Sequence, residues 1–128
     1  MTVSSTPKPT DSELEILQVI WLNGPSSVRS INDELNRKKQ VGYTTTLKLM
    51  QIMTDKGLLK RTELGRKHIY SAVLDEKETK DLLLDRFVRT AFGGSAMDLV
   101  MQALGNHKTT PEEIEALKAM IEKMEDEH

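Results

Sequence analysis

Residues 41–57, VGYTTTLKLMQIMTDKG, decide how this chain is read. Thr44, Thr45 and Thr46 are β-branched, lose side-chain freedom in a helix and rank low as helix formers. A helical pattern nonetheless follows them at once. Thr46, Leu49, Met50 and Met53 recur at i, i+3, i+4 and i+7 and make one buried side. At about 100° per residue, Thr44, Lys48, Gln51 and Asp55 lie opposite that side, while Thr45, Leu47 and Ile52 flank it. Gly57 is placed as the residue that ends the helix. The spacing predicts a helix over 44–57 with two threonines turned outward in its first turn and a third turned inward.

Two helices precede it. Thr10 followed by Glu13 is a capping box, and Leu14, Leu17 and Trp21, broadened by Ile16 and Ile20, mark a helix that Gly24-Pro25 stops. Ser26 or Ser27 caps a shorter one, with Val28, Ile31 and Leu35 inward and Arg37, Lys38 and Lys39 at its end, where positive charge suits the helix dipole. After Gly57 the period changes to two. Residues 58–63 and 68–74 read as strands joined by Leu64-Gly65-Arg66-Lys67, with Arg66 and Lys67 near the tip. Three short helices and a two-stranded hairpin make a winged helix-turn-helix, and the helix over 44–57 occupies the recognition position.

Beyond Leu74 the chain is helical again. Asp75 with Glu78 starts a helix carrying Leu83, Phe87, Val88 and Phe92, and Gly93-Gly94 breaks it. Ser95 caps the next, with Leu99, Val100 and Leu104. Thr110-Pro111-Glu112-Glu113 opens a last helix in which Ile114, Leu117, Ile121 and Met124 form a narrow seam. Each helix has one apolar stripe and too few apolar residues for an isolated core, which predicts that two copies of the chain share one. The expected fold is mainly α with a small antiparallel wing. A flexible polar arm spans 1–9, a winged-helix DNA-binding domain 10–74 and a helical dimerisation module 75–128.

Composition bounds the function. The 128 residues are 38% hydrophobic and 30% charged and contain no cysteine, which excludes disulfides, thiolate metal sites and cysteine nucleophiles. No apolar run approaches the ~20 residues of a membrane span, and no signal peptide is visible, so a cytoplasmic protein without membrane insertion is expected. The net charge of −2 conceals an asymmetry. Through Leu74 eleven lysines and arginines face seven acids, a net of +4; after it seven face thirteen, a net of −6. A basic front half suits a polyanion. His68, His107 and His128 are scattered without metal-ligand spacing, and no nucleophile–base pair is visible, so neither an enzyme, a metal nor a cofactor is expected.

Placed in a major groove, the helix over 44–57 presents its N-terminal residues to DNA. Thr44 and Thr45 can bond phosphate or base edges, Leu47 can touch a thymine methyl, Lys48 suits guanine or phosphate, and Gln51 suits adenine. Arg66 and Lys67 on the wing suit phosphate or an adjacent minor groove. Ser27 and Arg29, at the start of the second helix, and Arg61 on the first strand are further candidates for the backbone. The bland alternative makes Thr44 a cap, Ser27 a cap and the charges a solvated surface. The competing function is a winged-helix protein-interaction module without specific DNA binding, against which stand the basic front half and the absence of acids before Asp55 on the outward face.

The segments TDSELEILQVIWLNGPSSVRSINDELN, GYTTTLKLMQIMTDKGLLKR and GRKHIYSAVLDEKE, with FGGS at Phe92 to Ser95, resemble the penicillinase and methicillin-resistance repressor family, which includes copper-responsive repressors. The resemblance runs from about Thr10 to Met124. It implies a homodimeric winged-helix repressor on an inverted-repeat operator of double-stranded DNA, with a membrane sensor protease as a further partner. Repressors of this family can be inactivated by cleavage between Asn and Phe in the C-terminal module. The equivalent place here is Gln102-Ala103, a different residue pair, and the cysteine-rich motif of the copper-responsive branch has no counterpart.

Overall fold

The computed structural model describes residues 8–127. Most of the arm expected over 1–9, and His128, lie outside them; Pro9 is buried. The elements run α1 (Asp11–Asn23), α2 (Val28–Leu35), α3 (Tyr43–Asp55), β1 (Leu59–Leu64), β2 (Lys67–Ala72), α4 (Glu76–Ala91), α5 (Ala96–Asn106) and α6 (Pro111–Asp126). The fold is mainly helical with one two-stranded antiparallel sheet, as expected from the sequence.

The caps form where the sequence places them. Thr10 accepts the Glu13 N–H at 3.2 Å while Glu13 accepts the Thr10 N–H at 2.9 Å, closing the capping box of α1. Of the two candidate serines, Ser27 caps α2 by accepting the Ser30 N–H. Ser26 instead exchanges both backbone hydrogen bonds with Tyr70, at 3.0 and 2.8 Å, and so ties β2 to the helices. Thr110 and Glu113 form a second capping box, with Pro111 opening α6.

The helix expected over 44–57 begins and ends slightly earlier. Its cap is Gly42, in extended conformation and without a side-chain hydrogen bond, and Tyr43 is its first residue. Thr44 is therefore inside the first turn and does not cap. At the other end Gly57, at φ 83°, and Leu58 donate to the Thr54 and Met53 carbonyls, the paired bonds of a Schellman stop. The first strand lies one residue later than expected, and the second starts one residue earlier and ends two earlier. The turn is Gly65-Arg66 alone, and Lys67 already pairs with Leu64 in the ladder. Gly65 has φ 66° and Arg66 has no positive φ, the sign pattern of a two-residue II′ turn with glycine first.

One compact unit extends through Lys80 and a second starts at Asp81, the division falling within α4. In the first, Ile16, Leu17 and Ile20 of α1, Val28 and Ile31 of α2, Met50 and Met53 of α3, Leu58, Leu59 and Tyr70 form the core. The Trp21 indole N–H donates to the Leu74 carbonyl at 3.1 Å and fixes the chain leaving β2. In the second unit no described residue is buried. Leu83, Val88, Phe92, Leu99 and Leu117 are half-buried, whereas Phe87, Val100, Leu104 and Ile121 are exposed. Phe87 and Phe92 meet edge to face at 5.5 Å between centroids. None of the described helices is long and apolar enough to cross a membrane.

Candidate nucleic-acid interface

The three threonines divide by which way they face. Thr44 and Thr45 are exposed and Thr46 is buried, as the helical spacing requires. The buried hydroxyl of Thr46 accepts a hydrogen bond from Asn32 Nδ2 at 2.7 Å, and that amide also donates to the Val41 carbonyl at 3.1 Å. Asn36 clamps the same loop from both sides, donating to the Val41 carbonyl at 2.8 Å and accepting the Val41 N–H at 3.0 Å. Two asparagines one helical turn apart on α2 thus fasten the loop and the start of α3. Satisfied buried polar groups of this kind fix geometry more than they add net stability. The sequence reading missed both residues. Their signal was the spacing of two amides at the end of a short helix that a turn must follow.

The far end of α3 is held by charge. Lys56 Nζ lies 2.7 and 2.9 Å from the two carboxylate oxygens of Glu13, which is only 2% exposed. Burial pushes the Glu13 carboxyl up, but the hydrogen bonds from Lys56 and from the Thr10 N–H, with the Lys56 charge, outweigh it and leave the group below the ordinary glutamate range. Both ends of α3 are therefore anchored to helices beneath it.

The outward face so positioned carries Thr44, Thr45, Lys48 and Gln51, all exposed, and no acid occurs in the first turn. Leu47 is half-buried and packs against the core, so only part of its side chain remains for a methyl contact. Gln51 and Arg61 line one open cleft with Thr54, Asp55, Lys60 and Tyr70, which brings the strand to the helix face. Arg61 pairs directly with Tyr70 across the sheet. Lys60 is a member of this cleft that the sequence reading did not single out. Arg66 occupies the wing turn and Lys67 the first position of β2, both exposed. Ser27 is engaged as a cap, and Arg29 lies over the Tyr43 ring, 5.4 Å from its centroid.

The ion pairs sort the cations of the first unit. Arg37, Lys39 and Lys56 are held by Glu34, Glu15 and Glu13. Among the described residues, Arg29, Lys48, Lys60, Arg61, Arg66 and Lys67 pair with no carboxylate, and neither do Lys8 and Lys38. Acids lie near some of these cations: Glu63 is 3.6 Å from His68 across the ladder, and Asp55 shares the cleft of Lys60 and Arg61. Unneutralised cations beside an acid-free helix turn are the chemistry of a phosphate-binding surface. The groups are donors and point charges; catalysis would need a nucleophile and a base in contact, and the described residues bring none together here.

Gln102 and Ala103 are exposed near the middle of α5. A scissile bond there sits within helical backbone, which must unwind to enter a protease cleft.

Comparison with known proteins places these observations in a lineage. A family model described as penicillinase repressor matches residues 9–123. The penicillinase repressor of Bacillus licheniformis is 25% identical over 116 residues, 91% of this chain and 91% of that one. The methicillin resistance regulatory protein MecI of Staphylococcus aureus strain N315 is 22% identical over 114 residues, 89% of this chain and 93% of that one. A solved structure, the solution structure of the DNA binding domain of the repressor BlaI, matches with a TM-score of 0.51 at 26% identity, covering 58% of this chain and 90% of that one.

Proposed function

The chain belongs to the penicillinase repressor family, a family of transcriptional repressors rather than enzymes, and from that premise we propose that it is a homodimer reading an inverted-repeat DNA operator. Residues 10–74 form the DNA-binding module and 75–128 the dimerisation module. One α3 per subunit enters the major groove of each half-site, with Thr44, Thr45, Lys48 and Gln51 toward the bases and phosphates. Leu47 contributes its uncovered edge. Arg66 and Lys67 lie on the backbone or an adjacent minor groove, and Ser27, Arg29 and Arg61 on flanking phosphates.

The observation that carries this reading is the group of cations without carboxylate partners around the acid-free first turn of α3 and on the wing. Arg37, Lys39, Lys56 and Lys80 are held by carboxylates, whereas the six cations flanking α3 and on the wing are not; outside that group, Lys8 and Lys38 also lack a carboxylate partner among the described residues. A protein-interaction module would have no reason to keep the first turn of α3 free of acids beside these cations. Selection from a random DNA library tests the proposal. Enrichment of an inverted repeat supports it, and recovery of no preferred sequence favours the interaction module.

Dimerisation is supported by the second unit, whose helices leave their apolar stripes uncovered. The Gln102-Ala103 segment and a membrane sensor protease are a family-level proposal for release. A protease acting there must accept a residue pair other than Asn-Phe and unwind part of α5.

A further inference from the structure

Arg29 and Tyr43 come from different helices, the second residue of α2 and the first of α3, and meet only because the turn between them is tightly fastened. The guanidinium carbon of Arg29 lies 5.4 Å from the centroid of the Tyr43 ring. Among the described residues no carboxylate pairs with Arg29, and no protein group bonds the Tyr43 hydroxyl. Tyr43 is 44% exposed, so the ring and the arginine over it are accessible from solvent. A guanidinium held over a ring by cation–π attraction spends none of its N–H donors on a carboxylate. Those donors form the planar fork that matches two oxygens of a phosphate.

We propose that Tyr43 is a positioning residue for DNA binding: its ring holds the Arg29 guanidinium so that its N–H donors meet a backbone phosphate beside the recognition helix. This rests on the DNA-binding reading above. The ring substitutes for the carboxylate that would otherwise orient the arginine, and it does so without neutralising the charge the phosphate needs. A carboxylate at this place would compete with DNA. An aromatic ring keeps a long, rotamer-rich side chain in one place and leaves its charge available. Because Tyr43 directly follows the Gly42 cap, the arginine also inherits the orientation of α3.

The test uses the full chain, a mixed-sequence DNA duplex and a salt series, because a phosphate contact needs no particular operator. Arg29→Gln is expected to lower affinity and to reduce the slope of log affinity against log salt by about one phosphate contact per bound subunit, about 0.9 for each. Tyr43→Phe keeps the ring and is expected to bind as the parent does. Tyr43→Leu removes the ring and is expected to weaken binding severalfold, with the double variant no weaker than Arg29→Gln alone. Thermal melts establish that each variant is folded, and Tyr43→Phe reports on the hydroxyl without disturbing the packing. The positioning role is overturned if Tyr43→Leu binds as the parent does, if its effect adds fully to that of Arg29→Gln, or if Tyr43→Phe is as weak as Tyr43→Leu. A parent chain that binds no duplex at any salt overturns the DNA-binding reading itself, and this proposal with it.

Discussion

At the scale of single residues, the buried polar groups carry as much of the architecture as the apolar ones. Thr46 is the clearest case, because valine would fill nearly the same volume and suit the helix no worse. Thr46→Val leaves one Asn32 N–H without its acceptor at a buried site, a loss of about 1–2 kcal/mol. Urea unfolding of the variant checks it, and the cost should shrink when Asn32 is removed as well. Glu13 makes a pH-dependent contribution. Its carboxyl is held below the ordinary range in the folded chain, so its stabilisation is complete above the unfolded value and is lost as pH falls through the folded one. Glu13→Gln should therefore cost about 1–2 kcal/mol at neutral pH, less than a fully buried pair because Lys56 is 36% exposed. The difference from the parent should vanish in acid below the usual glutamate range, as measured by denaturation across pH.

At the scale of elements, the roles proposed for the wing and for α3 differ and separate experimentally. Arg66 at the turn and Lys67 beside it touch no carboxylate and offer charge without base-reading geometry. Replacing both with alanine should weaken specific and non-specific binding alike, about tenfold or more at moderate salt, and flatten the salt dependence by one to two contacts per subunit, roughly 0.9 in slope for each. Normal binding by that variant across several salt concentrations would remove the wing from the interface. The same elements show what sequence can disclose. The buried stripe of α3, the outward Thr44-Lys48-Gln51 line and the two-period strands follow from side-chain spacing, which one chain displays in full. The start of α3 does not, because a glycine in extended conformation caps it with no side chain to announce the fact, and Thr44 looked the better candidate. The Asn32–Thr46 bond and the Arg29–Tyr43 contact join residues 14 apart in sequence across a turn whose path spacing does not encode. They become visible only when the turn is in place.

At the scale of the whole molecule, the two units differ in what they can do alone. The first closes a core from three helices and the sheet. The second has three helices' worth of apolar stripe and buries none of its described residues; Phe87 alone is 52% exposed. A second copy of the chain is the simplest cover for such stripes. Phe87→Asp or Leu117→Asp should yield monomers in analytical ultracentrifugation with much weaker operator binding, since each half-site then contributes separately. Variants that stay dimeric would discredit the shared core. A two-fold symmetric dimer would set the symmetry of its DNA, which makes the operator itself the most direct witness. Selection from a random duplex library, run in parallel with the parent chain and with Gln51→Ala, joins the claims about α3, the groove and the dimer. The parent should enrich an inverted repeat, and Gln51→Ala should relax preference at one position in each half while leaving the rest intact. A parent chain that enriches no sequence would contradict the account at its centre.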